Sequence, residues 1–468
     1  MFGVQITDGP QDWQIFQQEN GFGQIRAAGR YFLREEVPMK APQVFARVVR
    51  EEDGRPLQYW QKAHMDETRA GWEISLKVPA GGLYRLETCL AEENEQILEW
   101  AMRGDMRFHL GVGDLYVIAG QSNSAGYGKD PAYDPPEPGV HLFRNCGRWD
   151  MAAHPMNEST GTIHPVNQES ANPGHSPYLA FGKMLRREIG YPVGLLQTSL
   201  GGSPLRGWNP KEDGRLYRSM MEVIRSQGGK IKGVLWYQGC SDTNREDSST
   251  YLKRFGEMVS SMRQELQQDV PFLTVQINRQ TGVLEEDRGY WGMIREVQRQ
   301  AAHEIPGVFV IPTLDYTLMS DGIHNSAVSN VAMGERLAAA ALREIYGKPG
   351  FPAAPELETA RFTDEKTVEL TFRNVRGRLF CYDGVRPDIS IWDEEGEIPM
   401  ESWALCGDKI RLILSRRAKG ICTAGGGWKR EPQNPMPVDF ETHIPALAFY
   451  QFPVEQARRP GGQFDAAF

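Results

Sequence analysis

The sequence predicts an α/β protein: a parallel sheet with flanking helices at the centre of the chain, set between two β-rich segments. Two observations carry this. Between residues 109 and 349 short apolar runs alternate with longer amphipathic stretches, the pattern of successive βαβ units. On either side, apolar-alternating runs are separated only by turn clusters, the pattern of sandwich-like β structure. A third fact agrees: 468 residues exceed what one ordinary core supports, so several domains are expected.

Taken in order, residues 1–108 read as a β-sandwich-like domain with strands over Gln43–Val49, Trp72–Val78 and Gly82–Cys89, divided by turns at Glu51–Arg55 and Pro79–Gly82. Leu115–Ala119 then reads as a short strand ending in small residues. After a long Pro/Asn/Gly-rich segment, Tyr127–Pro177, the α/β alternation follows. The helices are Tyr178–Ile189, Leu216–Ser226, Tyr251–Gln267, Tyr290–His303 and Val328–Tyr346; the strands between them are Val193–Thr198, Ile231–Tyr237, Phe272–Gln276 and Val308–Ile311. A Pro-rich linker, Lys348–Pro355, leads into a β-rich domain over 350–454, with runs at Thr367–Phe372, Leu379–Tyr382, Asp388–Trp392, Lys409–Leu414 and Ala446–Phe452. Residues 455–468 read as a flexible tail.

Composition excludes several classes of function. The formal net charge is −9 and the basic residues form no runs, which argues against a nucleic-acid face or an anionic-membrane anchor. No stretch approaches the roughly 18 apolar residues of a membrane span, and the start, MFGVQITDGPQDW, lacks a signal pattern, so the chain reads as cytoplasmic. Cys89, Cys146, Cys240, Cys381, Cys406 and Cys422 lie far apart without CxxC spacing and read as isolated thiols. The 11 Trp and 16 Tyr supply flat faces that suit sugars, although packing in β cores is the commoner use.

The chemistry-bearing residues sit at carboxyl ends of predicted strands, where open α/β sheets place their sites. Gly120-Gln121-Ser122-Asn123 follows the Leu115–Ala119 strand, and a serine on such a tight turn presents its hydroxyl at the sheet rim. Asp321-Gly322-Ile323-His324 follows the last strand; a carboxylate and an imidazole three residues apart can supply an oriented base for that serine. Gly201-Gly202 and Gln238-Gly239 offer backbone N–H groups and a side-chain amide of the kind an oxyanion hole uses. Cys240, after Gln238-Gly239, has no histidine pattern to serve it and reads as an inert thiol. His141, His154, His164 and His175 lie in the long segment at spacings that fit no helix-borne ligand motif; they read as loop or substrate-contacting residues, with no metal expected.

Val117–Asn123 (VIAGQSN), Ser199–Trp208 (SLGGSPLRGW), Leu235–Asp242 (LWYQGCSD) and the Asp321–His324 block together resemble the ordered blocks of the SGNH/GDSL hydrolases, in particular the sialate O-acetylesterase-like carbohydrate esterases. Trp291–Gln298 is similar to the helix before the last block. The resemblance covers about residues 110–346 and implies a flavodoxin-like SGNH domain. It implies a serine esterase that removes acyl groups, foremost acetyl, from carbohydrate through an acyl-enzyme, with neither metal nor organic cofactor. Ser122 would be the nucleophile, His324 the base and acid, and Asp321 its orienter. The oxyanion donors would be the N–H groups of Ser122 and Gly202 and the amide of Gln238. Asn123, Trp208 and Cys240 are expected to contact substrate, Trp208 by stacking on the sugar within a wall formed by the Tyr127–Pro177 segment, which also holds Trp149. Two positions depart from the family pattern: Ser124 where Met is usual, and Cys240 where Glu usually follows Gln-Gly. An esterase of non-carbohydrate short-chain esters and an inactive glycan-binding SGNH protein are the alternatives. The partner expected is an acetylated carbohydrate, with no nucleic acid and no membrane.

Overall fold

The computed structural model describes residues 3–456 apart from positions 35, 37, 67, 69, 159–160 and 170–173. Its centre is a sheet in which Val140–Phe143, Val193–Gln197, Met102–Gly120, Gly233–Tyr237, Phe272–Val275 and Val308–Ile311 lie side by side, all parallel, with Trp149–Met151 antiparallel at one edge. Helices α1 (Ser122–Ala125), α2 (Tyr178–Ile189), α3 (Arg215–Ser226), α4 (Arg245–Leu266), α5 (Tyr290–Glu304) and α6 (Ala327–Glu344) connect and cover it. The strands Val193–Gln197, Gly233–Tyr237 and Phe272–Val275 are buried on both faces, which is why they read as continuous apolar runs such as GVLWY. The expected doubly wound arrangement is present. No helix among the described residues is long and apolar enough to cross a membrane.

Three differences from the sequence reading bear on the central sheet and its helices. The strand expected at Leu115–Ala119 begins at Met102. Its first half pairs antiparallel with Gly81–Glu92 of the N-terminal domain, and its second half is the middle of the parallel sheet. The division at 108/109 therefore lies inside one continuous strand shared by both domains. Helix α4 starts at Arg245, not Tyr251. The Asn244 side chain accepts the N–H groups of Glu246 and Asp247, and a polar first turn held by a cap carries no apolar period to reveal it. Inside the long segment, Val140–Phe143 is a fully buried strand too short to signal itself between Pro-Gly and Arg-Asn.

The N-terminal domain packs the Gly3–Asp8, Phe22–Phe32, Gly71–Pro79 and His64–Asp66 sheet against Pro42–Arg50 and Gly81–Glu92, with Val4, Ile25, Val48, Trp72 and Leu86 in the common core. In the C-terminal domain, Glu356–Phe362, Thr367–Arg373, Lys409–Leu414 and Met400–Cys406 form one sheet, and Gly396–Glu397, Ile389–Asp393, Thr423–Gly426 and Phe449–Pro453 another. Leu370, Ile391, Leu412 and Phe449 fill the space between them. The tail expected at 455–468 lies outside the described residues from 457 onward.

Close backbone approach decides two points that position the site. Gly120, at φ +128°, lies against the Gly233–Tyr237 strand, and a Cβ there would stand 2.2 Å from the Tyr237 carbonyl oxygen. Gly334 lets α6 press on the start of α2, where a Cβ would meet the Pro177 carbonyl at 2.0 Å.

The C-terminal domain is fastened by Arg295 of α5. It is fully buried and, among the described residues, has no carboxylate partner. Its guanidinium donates to the carbonyls of Ile277 (2.9 Å), Asn278 (3.0 Å), Gly427 (2.8 Å) and Lys429 (2.6 Å). Burial lowers it to about 10, so it remains a cation at neutral pH. Arg295→Met should cost about 2–4 kcal/mol of stability, because four buried carbonyls lose their donor while the volume is kept; denaturant unfolding followed by tryptophan fluorescence measures it.

Candidate active site

Ser122 is the first residue of α1, directly after the central strand, and its side chain is nearly buried. The turn is held from behind, as the Gln121 N–H donates to the Tyr237 carbonyl (2.9 Å). The Gln121 side-chain oxygen accepts the N–H groups of Gly239 (3.0 Å) and Ser241 (3.2 Å), tying the serine turn to the Gln238-Gly239-Cys240 turn. The Asp321–His324 segment reaches this point from the loop before α6, whose N-terminus Ser326 caps by accepting the Ser329 N–H.

The structure brings Ser122, His324 and Asp321 into one hydrogen-bonded chain. His324 Nε2 is 2.9 Å from Ser122 Oγ, and His324 Nδ1 is 2.7 Å from Asp321 Oδ2. The other Asp321 oxygen accepts the N–H groups of Ile323 (3.1 Å) and His324 (3.0 Å), so a three-residue turn orients carboxylate and imidazole together. Partial burial raises the Asp321 carboxyl, but the His324 N–H, the imidazole and the Ile323 N–H outweigh it and hold the group below its ordinary range.

Asn123 has a different place from the one expected. It is 2% exposed and holds the backbone on both sides of His324: its amide donates to the Ile323 carbonyl (3.2 Å) and its oxygen accepts the Asn325 N–H (3.0 Å). Asn325 is held in turn by Asn278 (2.8 Å) and by the Tyr237 hydroxyl (3.4 Å), all of them buried. Asn123 is therefore a positioning residue beneath the loop, not a substrate contact.

Gly202 faces open space at φ +64°, and the N–H groups of Ser122 and Gly202 make no hydrogen bond among the described residues. The Gly-Gly turn is docked beside the serine because the Leu200 N–H donates to the Gly120 carbonyl (3.0 Å). Gln238 departs from the expected oxyanion role. Its amide nitrogen donates to the Ser203 carbonyl (3.2 Å) and to the Asp242 carboxylate, which uses both of its protons. Asp242 is fully buried, raised to about 6 by that burial, and also accepts the Leu205 N–H. The amide is thus engaged by a buried acid below the site.

Trp208 and Trp149 require the same correction. Trp208 is fully enclosed, edge-on to Trp236 with ring centroids 5.3 Å apart, and its indole N–H donates to Ser203 Oγ (3.0 Å), so it has no face for a sugar. Trp149 packs on Phe143 at the sheet edge and donates to Gln227. His141 is a buried strand residue against Trp13, lowered to about 4 by burial. Cys240 is half-buried against the core, its thiol pushed up to about 12 by burial, which removes it as a nucleophile.

Two residues of the long segment do reach the site. The Tyr127 ring lies over His324 with centroids 4.6 Å apart, and its hydroxyl donates to Glu169. The other Glu169 oxygen accepts the Gly201 N–H (2.5 Å). One carboxylate therefore ties the ring covering the imidazole to the glycine turn. A lone glutamate in a polar loop carries no sequence signal for such a role.

Residues 112–343 match the model of the carbohydrate esterase, sialic acid-specific acetylesterase family. They form a carbohydrate esterase domain of the SGNH-hydrolase type. The esterase is a carboxylic ester hydrolase. It is 28% identical over 251 residues to the probable carbohydrate esterase of Arabidopsis thaliana, spanning 49% of this chain and 90% of that one. It is 22% identical over 187 residues to the sialate O-acetylesterase of Homo sapiens, spanning 31% of this chain and 35% of that one. In fold it is similar to the crystal structure of a carbohydrate acetylesterase from Xanthomonas citri, with TM-score 0.67, 21% identity and coverage of 94% and 97% of the two chains. That similarity takes in the flanking β domains as well.

Two predictions follow from the supports of the site. Asn123→Ala should lower kcat on a small aryl acetate about 10- to 100-fold with little change in KM, because it frees the loop that aims His324. A rise in KM alone would make Asn123 a substrate contact after all. Glu169→Ala and Tyr127→Phe should each lower kcat about tenfold, and the double variant should lose less than the product of the two, since both break one connection; steady-state kinetics of the four proteins give the coupling.

Proposed function

We propose that this esterase hydrolyses O-acetyl esters on carbohydrate through Ser122, His324 and Asp321. The observation that carries the proposal is the Asp321–His324–Ser122 chain at 2.7 and 2.9 Å, at the carboxyl end of the central strand. In this reading Ser122 Oγ attacks the acyl carbonyl as His324 Nε2 takes its proton. Asp321 keeps the remaining imidazole proton on Nδ1 and stabilises the imidazolium. The oxyanion forms toward the free N–H groups of Ser122 and Gly202. The bond to the sugar oxygen then breaks, and His324 returns its proton to that oxygen. Water attacks the acyl-enzyme, His324 again taking a proton, and acetate leaves as Ser122 regains its hydrogen.

The acetyl group and the carbohydrate are supported by the family match and by the named activities of the similar proteins. With Trp208 enclosed, the surface that receives the sugar falls to the Tyr127–Pro177 segment, from which Tyr127 and Glu169 already reach the site.

Ser122→Ala should lower kcat by about 10⁴- to 10⁶-fold with an unchanged circular dichroism spectrum. Asp321→Asn should cost about 10³- to 10⁴-fold, because an amide stabilises the wrong imidazole tautomer. A serine-directed phosphonate should label the Ser122 peptide alone by mass spectrometry. Acetate release from acetylated sialic acids, xylans and pectins, set against an aryl acetate, identifies the carbohydrate. A Ser122→Ala rate within tenfold of the parent would overturn the proposal.

A further inference from the structure

Two histidines of the long segment, read from spacing as unrelated to metal, meet on one carboxylate. The Asp134 side chain is 2% exposed, and one of its oxygens, Oδ2, lies 3.0 Å from His154 Nε2 and 3.2 Å from His175 Nε2. The three ligand atoms lie within 4.8 Å of one another. The imidazole rings are stacked, with centroids 3.7 Å apart and an interplanar angle of 27°. His175 is 8% exposed; its Nε2 lies 3.2 Å from Asp134 Oδ2, and its Nδ1 has no hydrogen-bond partner among the described residues.

We propose that Asp134, His154 and His175 bind a divalent ion of the zinc class, which staples the Tyr127–Pro177 segment. Two imidazoles and one carboxylate suit zinc, and bonds of about 2.0–2.1 Å arranged tetrahedrally set ligand atoms roughly 3.3 Å apart, close to the two distances from the carboxylate oxygen to the imidazoles. His154 is partly exposed, which leaves room for a water as fourth ligand. The second oxygen of Asp134, Oδ1, is held by the Lys183 ammonium, which also donates to the Pro135 carbonyl (3.1 Å); this orients the carboxylate and leaves Oδ2 for the ion. The Ser176 N–H stands 3.4 Å from His154 Nδ1, and ligation through Nε2 moves a proton to Nδ1 and displaces that long contact. The three ligands come from loop positions 134, 154 and 175, so no helical spacing announces them.

The ion takes no part in ester chemistry. Its effect reaches the site through the backbone: His175 pairs in both directions with Gly128 (3.2 and 2.7 Å), next to Tyr127, whose ring covers His324. The binding claim stands apart from the esterase reading, and its test is read without substrate. Chelator-stripped protein is titrated with Zn²⁺ alone and, in parallel, with Co²⁺. One equivalent of zinc per chain, a saturable rise in Tm and the visible absorption of tetrahedral Co²⁺ are expected, all lost in a His154→Ala/His175→Ala variant. Phosphonate labelling of Ser122 in stripped protein should persist. Should the double variant not fold, the Co²⁺ spectrum of the parent decides. Absence of the visible band, or zinc uptake and a Tm rise equal in parent and variant, overturns the proposal.

Discussion

The Asn123 carboxamide grips the backbone on both sides of His324, donating at residue 323 and accepting at residue 325. Serine and histidine lie some two hundred positions apart in the chain, and this amide is attached to the residue next to the serine. Any displacement of the serine turn therefore carries the histidine loop with it. A side chain that makes two hydrogen bonds to main-chain groups resists both translation and rotation of the loop, which a single contact between Ser122 and His324 does not. The cost of burying such an amide is offset because every partner is itself satisfied: Asn325 by Asn278 and Tyr237, and Asn278 by the Tyr316 carbonyl.

The same logic extends outward. Gln121 fastens the serine turn to the Gln238 turn, and Asp242 fastens that turn to Leu205 beyond the Gly-Gly block. Glu169 closes the ring by joining Tyr127, above the imidazole, to Gly201. Each support is a hydrogen bond between a side chain and a loop that has no regular pairing of its own. The site is stiff because its loops are cross-braced, while Asp321, about half exposed, leaves the open side toward solvent.

The flanking domains join this bracing in different ways. The N-terminal domain shares the strand that ends at Gly120, just before Ser122, so its Pro42–Arg50 and Gly81–Glu92 strands are continuous with the central sheet. The C-terminal domain is bound in part through Arg295, which donates to Ile277 and Asn278 on one side and to Gly427 and Lys429 on the other, and in part through Gln276, which is hydrogen-bonded to Ala448, and Arg299, which meets Glu356. Asn278 belongs to the amide chain under His324. A buried cation held by four carbonyls is fixed by geometry more than by charge.

The sequence by itself determined the alternation of helices and strands, because apolar period and turn residues are local properties of the chain. It also singled out Ser122, Asp321, His324 and Gly202, since a short block places each at a strand end before any distant contact is considered. Only the tertiary structure decided what the neighbouring side chains do. Trp208 looks like a sugar platform in the chain and is a core residue in the fold. Gln238 looks like an oxyanion donor and is engaged by Asp242. Asn123 looks like a substrate contact and is a clamp. Tyr127, Glu169 and the Asp134–His154–His175 cluster carry no local signal at all. Burial and the choice of hydrogen-bond partner depend on which remote segments pack together, and nothing in the spacing of residues along a chain encodes that.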